Sequence, residues 1–218
     1  MNPDKYLPPV ILPTACLPNI EYFCWLFYSK ESLVEIHETY PKQTCRNRYA
    51  IETASGGRHL SVPVIKPNGN YTLTKDVLLD PSPAWKRIHW RTLESAYSKS
   101  PFFQYYSQEF ADIILNPPVL LIEFNMQLIR LICGLLKFEP TISMTESFEK
   151  ETGHTDLRQF IMDKKNKKRQ WNINYFDPYI QVFSDRYPFY PNLSIIDLLF
   201  NKGPDSASYL EKHRPATS

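Results

Sequence analysis

Twelve residues from His37 to Arg48, read H-E-T-Y-P-K-Q-T-C-R-N-R, gather an imidazole, a carboxylate (Glu38), a phenol (Tyr40) and three cations (Lys42, Arg46, Arg48). Gln43, Thr44 and Asn47 add uncharged donors. Arginine's planar fork matches carboxylate or phosphate, so the segment is a candidate site for a small anionic substrate. His37 could move a proton there, since an imidazole titrates at about 6.5 when unperturbed. His89 is the second candidate catalytic histidine. It lies four residues after Trp85 and four before Leu93, on the apolar side of a predicted helix, with Arg87 and Arg91 flanking it. The competing readings are a solvated basic loop and a core histidine satisfied by one hydrogen bond. Asn125, inward beside Phe124 and Leu128, poses the same choice, because a buried amide must find partners in ligand or backbone.

Other chemistries find less support. Cys45 lies inside the basic segment and Cys16 at a predicted turn, so a thiol nucleophile paired with His37 or His89 is conceivable by residue type. No local signature accompanies it. The five histidines are scattered, with no H-x-x-x-H or H-E-x-x-H, and the four cysteines have no C-x-x-C, so no metal site is predicted. G-x-G-x-x-G and G-x-x-x-x-G-K are absent, and no cofactor can be named. Lys164 to Arg169 has five basic residues in six, but no nucleic-acid recognition motif goes with it, and a solvated loop is the preferred reading.

The elements that must position these residues belong to a chain of 218 residues, 43% hydrophobic and 14% aromatic, with a net charge of only +2. That composition excludes wholesale disorder, and it lacks the overall field of a nucleic-acid binder. Nineteen prolines against six glycines predict short elements joined by stiff turns. The polar start, Met1 to Lys5, and the polar interruptions of the apolar stretch Val119 to Phe138 predict a cytoplasmic protein with no transmembrane segment. Oligomeric state cannot be read.

Strands are expected at Val10–Leu12 and Leu33–His37, as a hairpin at Tyr49–Thr53 and His59–Ile65, and at Thr72–Leu79, Thr141–Met144 and Tyr179–Ser184. Helices are expected at Asn19–Tyr28, from Pro83 to Ser100, at Phe102–Ile114 and at Val119–Leu136. Trp85, Ile88, His89, Leu93, Ala96 and Tyr97 form the inward face of the second. A short helix after Ser194, with Asp197 completing a capping-box-like start, is ended by Gly203-Pro204. Residues 145–178 read as an extended basic loop and 211–218 as a polar tail. The fold class is therefore α/β, a single domain of residues 1–218 with a mixed sheet flanked by helices, compatible with a Rossmann-like three-layer arrangement.

The segments ILPTACLPNIEYF, HETYPKQTCRNRYAI, LSVPVIKPNG, WKRIHWRTLESAYSKSPFFQYY, DLRQFI, YIQVF and PNLSIIDLLFNKGP resemble, in order, the WbqC-like protein family of bacteria. The resemblance runs from about Val10 to about Leu210. It implies a link to O-antigen and other surface-polysaccharide biosynthesis. It marks His37, Tyr40, Lys42, Gln43, Thr44, Arg46, Asn47, Arg48, His89, Arg91, Ser95, Tyr97, Asn192 and Asp197 as motif positions. The chain departs from the family at Cys16, where an aromatic residue is common, and at Glu21-Tyr22-Phe23, where longer members read G-Y-F. The expected function is a transferase using a sugar nucleotide or an activated acyl or aminoacyl donor. Lys42, Arg46 and Arg48 would hold the donor's anion, and His37 or His89 would act as general base. Tyr40, Gln43 and Asn47 would orient the acceptor, and Thr44, Arg91 and Ser95 complete the expected binding set. The alternative is a non-catalytic anionic-ligand-binding or assembly protein of the same pathway. Whether His89 opens onto the basic segment or is sealed in the core separates the two.

Overall fold

In the computed structural model, residues 6–42, 44–159 and 175–216 are described. β1 (Val10–Pro13) and β2 (Ser32–Glu35) run parallel and need a crossover, which α1 (Ile20–Tyr28) supplies. The start of α1 is set locally, because the Asn19 side-chain oxygen accepts the Tyr22 N–H at 3.1 Å. Its aromatic residues are buried on most sides, as their density predicts.

β3 (Arg48–Thr53) and β4 (Gly56–Ser61) form an antiparallel hairpin, with Gly56 at φ +91° in its turn. β5 (Val64–Ile65) and β6 (Leu78–Leu79) make a second small ribbon. Three helices follow: α2 (Pro83–Tyr97), α3 (Phe103–Leu115) and α4 (Leu121–Leu135). β7 (Ile142–Met144), β8 (Thr155–Asp156), α5 (Ile195–Lys202) and α6 (Asp205–Lys212) complete the order. The α/β class is as expected. The mixture of strand directions is divided among sheets: the four-stranded sheet β7-β2-β1-β8 is parallel throughout, and antiparallel pairing belongs to the two ribbons.

One face of the parallel sheet feeds the core. Val10, Leu12 and Val34 join Phe23 and Leu26 of α1, Phe124 and Leu128 of α4, and Leu198 and Phe200 of α5. Ile11, Leu33 and Glu35 lie on the opposite face, where strand alternation must put them, beside residues 143–154. Among the described residues no helix is long and apolar enough to cross a membrane.

Several expectations are corrected. Thr72–Leu79 is no strand until Leu78; Thr74–Asp76 is a 3-10 turn. Its backbone is spent on the basic segment instead: Tyr40 N–H donates to Thr72 O, Thr74 N–H to Glu38 O and Lys75 N–H to Ile36 O, each at 2.9 Å. The second hairpin strand stops at Ser61, and Val64–Ile65 turns away to pair with β6. Tyr179–Ser184 is irregular, held by side-chain bonds rather than a ladder. The capping box does not form, because the Ser194 hydroxyl donates to Leu17 O at 2.7 Å and Asp197 turns to tertiary partners. Ile88 is 65% exposed although Trp85 and His89 pack inward. The presumed loop after residue 145 contains β8 and a buried Arg158, and the presumed tail continues α6 to Lys212 and buries His213. Gln43 and the lysine run at 164–169 lie outside the described residues.

Candidate functional site at the carboxyl edge of the parallel sheet

In sheet order the four parallel strands come third, second, first and fourth along the chain. The chain leaves β1 on one side for β2 and β7, then returns for β8 on the other, so the topology reverses between β1 and β8. Open α/β sheets place ligands outside the carboxyl ends of their strands at such a reversal. Thr14 follows β1 there, His37 and Glu38 follow β2, Thr145 follows β7 and Arg158 follows β8.

A polar row crosses this edge. The Glu35 carboxylate, fully buried, accepts from the His37 N–H at 2.6 Å and the Thr145 hydroxyl at 3.2 Å through one oxygen. Its other oxygen accepts from Arg158 Nη1 at 3.3 Å. Arg158 spends its remaining donors on Asp156, at 2.7 and 3.0 Å, and on the Glu149 and Lys150 carbonyls. All the side-chain donors of Arg158 are used within this network, which sets two carboxylates, Glu35 and Asp156, against one guanidinium. Neither Glu35 nor Arg158 is picked out by residue type, since they stand 123 positions apart; D-L-R within the family-like segments is the only trace.

The basic segment divides into committed and uncommitted groups. Arg46 is fully buried: Nε and Nη2 both donate to Glu38 Oε1, and Nη1 to the Thr44 hydroxyl at 3.2 Å. Its carbonyl accepts from Asn125 Nδ2 at 2.9 Å, and the same nitrogen donates to Thr14 at 3.0 Å. Asn47 is tied to Val62 through side chain and backbone, each at 2.8 Å. Tyr40 is buried, its hydroxyl without a partner among the described residues. Lys42 is exposed, and His37, Thr44 and Arg48 are half-buried. Among the described residues neither Lys42 nor Arg48 forms an ion pair, and the Nε of Arg48 is enclosed without a partner.

His89 is elsewhere. It is 5% exposed, its Nε2 bonded to the Tyr49 hydroxyl at 2.5 Å, with Trp85 edge-on at 6.0 Å. Burial pushes its pKa down to about 4, so it is neutral at physiological pH. Arg91 and Ser95 occupy the exposed side of α2. The structure therefore joins Arg46 with Glu38 and Thr44 by hydrogen bonds, keeps His37, Tyr40, Lys42, Asn47 and Arg48 as neighbours along the same segment, and leaves His89, Arg91 and Ser95 outside that network. Cys16 and Cys45 are adjacent, the Cys16 N–H donating to Cys45 O at 2.9 Å. Burial raises both thiols, Cys45 to about 11, so neither supplies thiolate near neutral pH.

Two cavities matter. One of about 380 Å³ lies beside the carboxyl edge, over Ile11 and Leu33, and is walled by Glu35, Ser143, Thr145, Glu146 and His154 among others. The second, about 470 Å³, is on the far side of the sheet near Phe27, Lys30, Lys137 and Phe138.

Residues 14–172 match the model of the WbqC-like protein family. The chain is also similar to the uncharacterized protein Rv1507c of Mycobacterium tuberculosis, with 25% identity over 92% of this chain and 96% of that protein. No solved structure matches.

Proposed function

Because the chain belongs to the WbqC-like protein family, we propose that it binds a small phosphate- or carboxylate-bearing donor at the carboxyl edge of its parallel sheet and transfers a group from it. The donor is a sugar nucleotide or an activated acyl or aminoacyl compound, and the pathway is bacterial surface-polysaccharide synthesis. The observation that carries the reading is that Lys42 and Arg48, which form no ion pair among the described residues, lie on the segment that follows β2, the strand next to β1 at which the topology turns back. They attract the anion. Arg46 does not touch it; neutralised by Glu38 and clamped by Asn125, it holds the segment in place. His37, its backbone anchored on Glu35, is the proton acceptor. The 380 Å³ cavity, walled by hydroxyls and carboxylates, suits an acceptor rich in hydroxyl or amino groups.

A second reading, an anionic-ligand-binding protein without catalysis, is favoured by one observation: His89 is sealed against Tyr49. A thermal-shift screen of sugar nucleotides, nucleoside phosphates and acyl-coenzyme A compounds tests both, since a ligand bound only by the native state raises Tm. A hit that is consumed when acceptor sugars are added supports transfer. A hit that is bound and returned unchanged supports the second reading, and no hit in any anionic class rejects both.

A further inference from the structure

Glu52 on β3 and Asp197 on α5 are 1% and 0% exposed, and neither takes part in an ion pair among the described residues. One Asp197 oxygen accepts from the Tyr179 hydroxyl at 2.6 Å and Gln181 Nε2 at 2.8 Å. Its other oxygen faces the Tyr97 hydroxyl, and Glu52 faces the backbone N–H of Phe183, each without a hydrogen bond of ordinary geometry. The groups facing this cluster are themselves neutral or acidic. Tyr97 of α2 and Tyr179 stand against Asp197, Tyr209 of α6 lies behind Tyr179, and Asp185 adds a further negative charge near Glu52. Arg186 pairs with Asp185 at the surface, and Tyr49 next to Tyr97 is backed by the neutral His89. Two neighbouring carboxylates withdrawn from water, with no cation paired to either among the described residues, disfavour carrying two negative charges at once, so the packed cluster favours holding a proton.

The same cluster hooks residues 179–190 onto the molecule. Gln181 bonds Asp197 and also both backbone groups of Tyr190, at 2.9 and 3.0 Å. The Tyr187 hydroxyl donates to Ala54 O at 3.0 Å, and the Tyr190 ring packs over Gly57, at ordinary contact distance from where a Cβ would stand. This segment thus straps down the hairpin whose first residue, Arg48, ends the basic segment.

We propose that residues 179–190 are a proton-dependent strap, closed over the β3–β4 hairpin while Glu52 and Asp197 hold a proton between them and released when both are ionised. Burial, with Asp197 nearby, lifts Glu52 to about 7, and burial raises Asp197 too. In the open form both acids face water and titrate near their ordinary values of about 4. The closed form therefore binds the extra proton, and opening grows as pH rises from 4.5 to about 7.

Hydrogen exchange of the full chain between pH 5 and 8, corrected for the intrinsic rate, reads the opening directly. Protection of 179–190 and of the hairpin falls with rising pH in the wild type, by at most about tenfold per unit for one linked proton. Glu52→Gln, which cannot ionise, flattens the slope. Tyr187→Phe, which removes only the bond to Ala54, raises opening by the same factor at every pH and keeps the wild-type slope. A pH-independent wild type, a Glu52→Gln slope equal to the wild type's, an altered slope in Tyr187→Phe, or opening that follows potassium concentration at fixed pH overturns the proposal.

Discussion

The Asn125 side chain donates at 2.9 Å to the carbonyl of Arg46, a residue 79 positions away, and with the same nitrogen at 3.0 Å to Thr14. One buried amide on α4 thereby joins the exit of β1 to the basic segment that follows β2. The Cys16 N–H, donating to Cys45 O at 2.9 Å, joins the same two segments through the backbone, and the amide adds a side-chain bridge to it.

Asn125→Ala leaves the Arg46 carbonyl and the Thr14 hydroxyl without that donor, inside the protein. Each orphaned group costs about 1–3 kcal/mol. Urea denaturation of the variant is expected to show a loss in that range or above, with an unchanged m-value.

Arg46→Ala removes the cation beside Glu38, whose side chain is 11% exposed. Losing one partner of a buried pair costs about 3–5 kcal/mol, whereas replacing both with apolar residues of similar volume is far milder. Arg46→Met with Glu38→Leu is therefore expected to be more stable than Arg46→Ala alone. Equal losses in the two would mean that the pair does not hold the segment.

His89 supplies a pH signature. Its folded pKa, about 4, is below the unperturbed 6.5, so between those values the unfolded chain binds a proton that the native state refuses. Stability from this group is present above pH 6.5 and is lost as pH falls toward 4. His89→Gln keeps an acceptor for the Tyr49 hydroxyl and cannot titrate. The stability advantage of the wild type over this variant is expected to shrink between pH 7 and pH 4.5, by at most about 1.4 kcal/mol per unit.

Gly203 ends α5 at φ +52°, and a Cβ there would stand 2.4 Å from the Phe102 ring. Left-handed strain costs about 1–2 kcal/mol and overpacking about 1–3 kcal/mol, so Gly203→Ala is expected to lose at least about 2 kcal/mol in thermal or urea melts.

What the chain discloses of this structure follows the range of its interactions. Asn19 caps α1 through a residue three positions on, and Gly203 stops α5 with its own backbone, so both ends are legible. Thr72 and Thr74 are buried and alternate with the half-buried Leu73 and Lys75 as in a strand, yet the backbone of Thr72, Thr74 and Lys75 bonds residues 36–40, a pairing no periodicity reveals. Within the basic segment, residue type does not reveal which cations are neutralised by neighbours. Arg46 looks like a ligand cation until Glu38, eight residues earlier, is seen to neutralise it. His89 sits on the apolar side as the spacing predicts, and only Tyr49, forty residues away, shows that its nitrogen is occupied. By residue type Glu35 and Arg158 carry no signal in the sequence, because each acquires meaning from the other across the sheet.

The most direct measurement is a backbone NMR titration with a nucleoside diphosphate, comparing wild type with Lys42→Ala. Shifts confined to Thr14, His37–Arg48 and Thr145, weakened at least severalfold in affinity by Lys42→Ala, are the predicted result. Shifts centred instead on Lys30, Lys137 and Phe138 at the amino-terminal side, or affinity indifferent to Lys42, would contradict an anion site at the carboxyl edge of the sheet.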